Sequence, residues 1–317
     1  MNTSASAAGT SPAPVLSFSP VVLPITGRPV DLQVRVTAPI QGTGLPVILL
    51  SHGHGGSNNL SSLNGYAPIA NLWAQAGFVV IQPTHLSSKT LAHHLSDEPE
   101  APLFWRSRAQ DMTHVLDHLD VIESTVPQLA GRIDHGRVAV AGHSLGGFTA
   151  NLLLGAQLTD PATGERVSLW EPRIKAGVVL AAPGRGGVIH ASTLEQMPIF
   201  ETIDFSTMIT PALVVAGSRD DSRHFTDVGP IWHTDPYILA PSPKTLLTIF
   251  DAEHGLGGIA GYDADETTDE NPERVAAVAH LTAAYLATTL GLDAHAWQRA
   301  CDGLVSGTAP VARIEAK

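Results

Sequence analysis

The sequence predicts an α/β fold in which helices cover both faces of a mostly parallel central sheet. Short segments rich in Val, Leu and Ile alternate along the chain with segments whose apolar residues repeat at helical spacing. Several of the short segments are apolar throughout, which is typical of strands buried on both faces. Strands that alternate with helices pair in parallel through right-handed crossovers, so the pattern favours one continuous sheet.

The first strands are predicted over residues 15–22 and 30–36. The second of them alternates apolar and polar residues, which indicates a half-buried antiparallel strand at a sheet edge. Residues 46–51 form an unbroken apolar run and predict a strand covered on both faces. Further strands are expected at residues 78–82, 137–141, 176–181, 212–216 and 245–250. Helices are expected at residues 67–76, 104–119, 145–154 and 274–290.

Length and composition agree with one large domain. The chain has 317 residues, of which 44% are hydrophobic and 15% are charged. No shift in composition marks a second domain. We expect a disordered arm over residues 1–14, one domain over residues 15–291, and a C-terminal extension over residues 292–317 that forms a short helix and then frays.

Charge and cysteine content disfavour several classes of protein. The formal net charge is −12 and no basic cluster occurs, which disfavours nucleic acid and anionic membranes as partners. The N-terminus lacks the features of a secretory signal, and no stretch is suited to membrane insertion. We therefore expect a cytoplasmic protein. Its single cysteine, Cys301, excludes an intrachain disulfide.

The chemistry centres on the segment Gly142-His143-Ser144-Leu145-Gly146. It directly follows an apolar strand pattern and directly precedes a helical pattern. In this context the segment forms a nucleophile elbow, a sharp turn that lifts the serine hydroxyl above the sheet. The glycines leave room for the turn, and the start of the helix stabilises negative charge at the serine. Ser144 is therefore the predicted nucleophile.

A serine nucleophile needs a base, usually a histidine, and a carboxylate that orients this base. One predicted strand runs directly into Asp220 and Asp221, and the next runs into a segment that contains His254. Residues just past the carboxyl ends of parallel strands meet at one edge of a sheet. His254 is the predicted base, and both aspartates are candidates for its carboxylate.

An acyl-transfer site also needs backbone N–H groups that stabilise an oxyanion. One is expected from Leu145, the residue after the nucleophile. The other is assigned to His54, within the glycine-rich segment His52-Gly53-His54-Gly55-Gly56. His52 and His54 also resemble half of a metal site, to which His93 and His94 could add ligands. Because no recognised zinc spacing follows, we expect no metal and no cofactor.

With these residues placed, the chain resembles the α/β-hydrolase superfamily over nearly its whole length. More narrowly it is similar to the dienelactone-hydrolase-related serine esterases of the chlorophyllase and cutinase-like branch. The segments that carry the resemblance are Leu50-Ser51-His52-Gly53-x-Gly55-Gly56, Arg108-x-x-Asp111-Met112, Gly142-His143-Ser144-Leu145-Gly146-Gly147, Gly217-Ser218-Arg219-Asp220-Asp221-Ser222 and Glu253-His254. Dienelactone hydrolase itself has cysteine where Ser144 stands, so its lactone chemistry is not implied.

The resemblance implies the α/β-hydrolase fold and an esterase or lipase-like activity through an acyl-enzyme. Its Gly-x-x-Asp spacing favours Asp220 over Asp221 as the carboxylate. A thioesterase or an amidase would use the same residues, and an inactive hydrolase fold could serve as a ligand-binding protein. The identity of the ester, its chain length and the oligomeric state stay open.

Two long connections, residues 183–209 and 221–243, are expected to carry the binding site or a lid. Their large side chains suit an apolar acyl or alcohol group of a small ester substrate. The pocket candidates are Phe200, Phe205, Met208, Phe225, Trp232 and Tyr237. Separately, Arg108 and Asp111 stand three residues apart on one predicted helix, which indicates a structural ion pair.

Overall fold

The computed structural model describes residues 13–306 and 310–317. Residues 1–12 of the expected N-terminal arm lie outside this range. The strands are β1 (Val15–Leu23), β2 (Leu32–Pro39), β3 (Leu45–Ser51), β4 (Val79–Pro83), β5 (Ile133–His143), β6 (Gln157–Thr159), β7 (Arg166–Ser168), β8 (Ile174–Leu180), β9 (Ala212–Gly217), β10 (Lys244–Ile249) and β11 (Ala312–Ala316). The α-helices are α1 (Ala67–Gln75), α2 (Lys89–Ala92), α3 (Trp105–Asp117), α4 (Leu119–Thr125), α5 (Leu145–Leu153), α6 (Ala191–Gln196), α7 (Asp235–Leu239), α8 (Pro272–Thr289) and α9 (Ala296–Ser306).

Within the described ranges, nine strands form one sheet in the order β1-β2-β4-β3-β5-β8-β9-β10-β11. The strands from β4 to β10 in this order pair in parallel. The β1–β2, β2–β4 and β10–β11 pairs are antiparallel. The predicted α/β class with a mostly parallel central sheet is therefore confirmed.

Each central strand sends alternate side chains to the two faces of the sheet, because strand side chains alternate in direction. Leu49 and Val140 belong to one apolar cluster, together with Phe148 of α5. Ile48 and Ala141 belong to the cluster on the other face, with side chains of α1 and α8. Helices therefore cover both faces. No helix in the described ranges is long and apolar enough to cross a membrane.

The prediction that the second strand lies at the sheet edge is wrong. β2 is antiparallel to both its neighbours, β1 and β4, and Val34 and Val36 on it are fully buried. β1 occupies the edge instead, and its pairing with β2 is interrupted between Phe18 and Val21. Such an irregularity bends an edge strand and discourages pairing with another chain.

The expected short helix in the C-terminal extension forms as α9, but the segment after it does not fray. β11 pairs with β10 over five residues, from Ile249 opposite Ala312 to Thr245 opposite Ala316. This pairing satisfies backbone groups along one side of β10 that would otherwise form an open edge. The sequence also gave no signal for the hairpin of β6 and β7, whose strands have three residues each.

The two long connections pack against each other at one end of the sheet. The Trp232 indole donates to the Arg185 carbonyl oxygen at 3.0 Å, and the Arg185 N–H donates to the Asp235 carboxylate at 2.9 Å. The Thr226 hydroxyl donates to the Val188 carbonyl oxygen at 2.8 Å. Short helices occupy much of both connections, so together they form a structured cap rather than two separate loops.

Candidate active site

The turn between β5 and α5 has the geometry predicted for a nucleophile elbow. Ser144 has φ 56° and ψ −119°, a strained backbone conformation for a residue other than glycine. A Cβ atom on Gly142 would lie 2.0 Å from the Gly146 carbonyl oxygen, and one on Gly146 would lie 2.0 Å from that of Ser51. Only glycine fits at either position, because the backbones touch there.

Asp220 and His254 meet at the carboxyl ends of β9 and β10. His254 Nδ1 lies 2.7 Å from Asp220 Oδ2, and the Asp220 side chain is 1% exposed. Asp221 instead accepts hydrogen bonds from the exposed Arg223 side chain at 3.0 and 3.1 Å. The structure therefore brings Asp220, and not its neighbour, to the histidine.

Asp220 is held in its charged form. Burial by itself raises the pKa of this carboxyl, but hydrogen bonds from His233 and His254 and the charges on these rings outweigh burial. Together they hold the pKa of Asp220 well below its usual range. The carboxylate can therefore orient a histidine and balance its charge.

A hydrogen-bonded chain connects the His254 loop to the elbow and to the loop after β3. The Gly53 N–H donates to the Tyr66 hydroxyl at 2.9 Å, and this hydroxyl lies 2.8 Å from His143 Nδ1. His143 Nε2 lies 2.8 Å from the His254 carbonyl oxygen, to which it donates. Burial lowers the pKa of His143 to about 3, so this ring stays neutral. Neither Tyr66 nor His143 was predicted, because their partners are far away in sequence.

His143, the residue before Ser144, also packs against the His254 ring, so His254 lies near the elbow. The rings of His143 and His254 have centroids 5.0 Å apart. Ser144 is half-buried, and its hydroxyl has no hydrogen-bond partner within the described ranges. Catalytic hydrogen bonds are often long in a ligand-free site and shorten when substrate binds. The serine is thus partly accessible at the elbow, which His143 connects to the histidine that Asp220 orients.

Both predicted oxyanion donors are available in this geometry. The Leu145 N–H is at the first position of α5, where a helix has no internal acceptor. A Cβ atom on Gly53 would lie 3.4 Å from Ser144 Cβ, so the loop after β3 passes beside the serine. The His54 N–H in this loop has no acceptor within the described ranges. The carbonyl oxygen of the same peptide unit belongs to Gly53, and it accepts a hydrogen bond from His52 Nδ1 at 2.7 Å.

The loop after β3 is also held by hydrogen bonds to the carboxylate of Glu266. Glu266 accepts hydrogen bonds from the Ser57 N–H at 2.7 Å and from the Ser57 hydroxyl at 2.8 Å. A Cβ atom on Gly55 would lie 2.5 Å from Glu266 Oε1, so only glycine leaves room for this contact. The segment after His254 therefore holds the loop after β3 in place.

The expected ion pair between Arg108 and Asp111 does not form. Arg108 is fully buried and donates to Ser87 at 2.6 Å, to Ser51 at 3.0 Å, and to the His52 carbonyl oxygen. Asp111 pairs instead with Arg28 at 3.0 Å. The long Arg108 side chain reaches past its own helix to the end of β3. Burial lowers its pKa to about 9, so it remains a cation that anchors the end of β3, where the loop after β3 begins.

The histidines considered for a metal site are engaged elsewhere. His52 uses both ring nitrogens, since its Nε2 accepts from the His85 N–H at 3.2 Å. His93 and His94 pack edge to face against each other. Within the described residues, one group has the ligand atoms to hold a metal ion: Asp220, His233 and His254. These atoms already form hydrogen bonds to one another, which a metal ion would have to replace.

The structure places two of the pocket candidates, Met208 and Tyr237, away from Ser144, and it buries a third, Phe205. Phe205 and Met208 are at most 1% exposed, and the Met208 backbone packs on Gly155, past the opposite end of α5 from Ser144. The Lys317 ammonium lies over the Tyr237 ring, and the Lys317 backbone pairs with Lys244 at the amino end of β10. These side chains pack under their own loops, as apolar side chains of long loops often do.

The other three candidates form an aromatic cluster next to α5. Phe200 packs edge to face on Phe148, one turn after Ser144, with ring centroids 4.9 Å apart. Phe225 contacts both Phe200 and Trp232. Phe200 and Trp232 are buried, whereas Phe225 is half-exposed. Phe225 is therefore the member best placed to touch a ligand, and the other two support it.

No protein-family model matches the chain, and no curated protein is significantly similar to it in sequence.

Buried neutral histidines make the fold sensitive to acid. Burial lowers the pKa of His52 and His85 well below the ordinary value and that of His143 to about 3. Below about pH 6.5 the unfolded chain binds protons at these rings that the folded chain excludes, so stability falls by up to about 1.4 kcal/mol per pH unit for each ring. Asp111, whose pKa burial raises to about 6, partly offsets this loss below that pH.

We therefore expect the urea midpoint of unfolding to decrease steadily between pH 7 and pH 4.5. The variant His85→Gln should lower stability at neutral pH but make the decrease shallower. The variant His93→Gln, at an exposed position, is the matched control and should change neither. A urea midpoint independent of pH in the wild-type protein would contradict the assignment of these buried rings as neutral.

Proposed function

We propose that this chain is a serine hydrolase with the α/β-hydrolase fold that cleaves carboxylic esters through an acyl-enzyme on Ser144. The observation that carries the proposal is the 2.7 Å hydrogen bond between His254 and the buried Asp220, at the sheet edge where Ser144 stands on a strained turn. The order of nucleophile, acid and histidine along the chain is that of α/β-hydrolases.

In the proposed mechanism, His254 Nε2 removes the proton from the Ser144 hydroxyl as its oxygen attacks the ester carbonyl carbon. Asp220 keeps a hydrogen on His254 Nδ1 and balances the positive charge that the ring acquires. The His54 and Leu145 N–H groups stabilise the negative charge on the former carbonyl oxygen. When the carbon–oxygen bond of the ester breaks, His254 gives its proton to the departing alcohol.

The acyl-enzyme is then hydrolysed by the same groups. A water molecule loses a proton to His254 Nε2 and attacks the acyl carbon, and a second oxyanion forms in the same hole. This oxyanion collapses, the bond to Ser144 breaks, and the protonated His254 restores the serine hydroxyl. The carboxylic acid leaves, and the chain requires no cofactor in any step.

The nearby aromatic cluster supports an apolar group on the substrate. Phe148 lies one turn after Ser144 on α5, and Phe200 packs between Phe148 and the half-exposed ring of Phe225. Thioesters and amides pass through the same acyl-enzyme, so matched p-nitrophenyl esters, thioesters and anilides of one acyl group would rank the three bonds. Ester cleavage should be fastest.

Removal of the nucleophile gives the first test of the proposal. Ser144→Ala should fold normally and lose hydrolysis by roughly 10³–10⁶-fold, the loss typical for removal of a triad nucleophile. A fluorophosphonate probe should label the wild-type protein and fail to label this variant. Ser124→Ala, at an exposed position, is the matched control. Turnover at the wild-type rate in Ser144→Ala would sink the proposal, and an inactive binding protein would not label at all.

The adjacent aspartates provide a matched pair for the second test. Asp220→Asn removes the charge that faces His254 and should reduce kcat by about 10⁴-fold, as amide replacement of a triad aspartate does. Asp221→Asn removes only a surface contact to Arg223 and should leave kcat within a factor of about two. If the two effects were reversed, the role given to Asp220 would be lost.

The third test concerns metal ions. Because each step uses only side chains and backbone groups of the chain, dialysis against a chelator should leave the hydrolysis rate unchanged. Added Zn²⁺ should inhibit, since binding to Asp220 and His254 would displace the hydrogen bond between them. Activity that disappears on dialysis and returns with Zn²⁺ would favour a metal-dependent hydrolase instead.

A further inference from the structure

A second buried histidine stands against the carboxylate of Asp220. Asp220 Oδ2 accepts from His254, and its other oxygen, Oδ1, lies 3.2 Å from His233 Nε2. The Ser222 hydroxyl donates to the same Oδ1 at 2.9 Å, and its oxygen also lies 3.0 Å from His233 Nε2. The His233 side chain is 1% exposed and comes from the 3₁₀-helix Pro230–Thr234 in the cap.

The orientation of the His233 ring is fixed from its other side. His233 Nδ1 lies 2.8 Å from the Ala182 carbonyl oxygen, just past the end of β8. A carbonyl oxygen only accepts, so Nδ1 carries a hydrogen. The ring is also packed between Trp232 and His254, with centroids 5.0 and 5.6 Å away. Nε2 therefore faces two oxygens, Asp220 Oδ1 at 3.2 Å and the Ser222 hydroxyl oxygen at 3.0 Å.

We propose that His233 is a positioning residue, which holds Asp220 Oδ1 so that Oδ2 stays aligned with His254 Nδ1. The proposal rests on the function proposed above. A carboxylate can rotate about the bond to its Cβ, and anchoring one oxygen determines where the other points. A buried carboxylate also needs several donors, because each unpaired oxygen retains its desolvation penalty. Ser222 alone supplies one, from a backbone at φ 40°.

His233 also influences the charge that Asp220 presents to His254. When both of its ring nitrogens carry hydrogen, Nε2 donates to Oδ1 and the positive ring offsets part of the negative charge of Asp220. Without His233, the carboxylate would attract a proton to His254 more strongly. At low pH, His254 is protonated and cannot act as a base, so kcat/KM falls along an acid limb. Without His233, the midpoint of this limb would move to higher pH.

Other ionisable groups also lie close to His254, Asp220 and His233. His143 packs on His254 from β5 and stays neutral, because burial lowers its pKa to about 3. His224, from the connection after β9, interacts electrostatically with His254, Asp220 and His233, and its pKa is lowered, chiefly by burial. Asp235 on α7 interacts with His233 and is paired with Arg185 at 2.8 Å. None of these groups contacts Asp220 Oδ1 directly.

Two amide substitutions separate the contacts of the His233 ring. His233→Asn places an amide N–H near the former Nδ1, so it can retain the contact to Ala182 and loses the donor to Asp220. His233→Gln reaches the position of Nε2, so it retains the donor to Asp220 and loses the contact to Ala182. If His233 served only to anchor the cap to β8, the glutamine variant would be the more damaged of the two.

We expect His233→Asn to lower kcat for a p-nitrophenyl ester by roughly 10–100-fold, the size of effect that misplacing a catalytic group produces, with KM nearly unchanged. The midpoint of its acid limb in kcat/KM should rise. His233→Gln should retain kcat within about threefold, with a smaller shift of the midpoint. Circular dichroism and the urea midpoint check the fold of each variant. If His233→Asn does not fold, it is replaced by His233→Leu, which fills the space without a donor.

Wild-type kcat and an unmoved acid limb in His233→Asn would overturn this inference, as would a larger loss in His233→Gln than in His233→Asn. The wild-type protein and Ser144→Ala are measured in the same series. Absence of hydrolysis that depends on Ser144 would instead overturn the proposed function. The two failures are therefore distinguishable in one experiment.

Discussion

The carboxylate of Asp220 is a charge enclosed by protein, and the arrangement of this edge of the sheet follows from the need to satisfy it. The groups around it come from separate parts of the chain: His254 after β10, and Ser222 and His233 from the connection after β9. Each of these groups is stabilised by its contact with the carboxylate. Without them, burial of the carboxylate would cost too much free energy. The cap is consequently attached to the site that it covers.

Neutral histidines perform a different task around this charge. His143 connects the elbow to the backbone of His254, and His52 donates to the carbonyl oxygen of Gly53, which lies beside the serine. Arg108 anchors the same loop from inside the protein as a buried cation. Burial keeps the two rings uncharged, so each can donate at one nitrogen and accept at the other. The loop after β3, the elbow and His254 are thereby held in one hydrogen-bonded frame.

Much of the fold was predictable because its signals are local. The central strands are apolar throughout and the helices are amphipathic, so most of the elements around the site form close to where the sequence predicts them. The failures share a physical cause. β11 is polar on one face and acquires its structure only by pairing with β10, and β2 is moved from the edge by β1. Neither partner choice is encoded within the segment itself.

By itself, the sequence determined the order of strands and helices, the strand-to-helix context of Ser144, and the delivery of Asp220 and His254 to one edge of the sheet. These depend on local hydrophobic periodicity and on glycine, which act between neighbours in the chain. Only the tertiary structure decided that His233, Tyr66 and Arg108 join the site and that Met208 and Tyr237 do not. A side chain's partners depend on where distant segments pack, and hydrogen bonds across tens of residues leave no pattern in the local sequence.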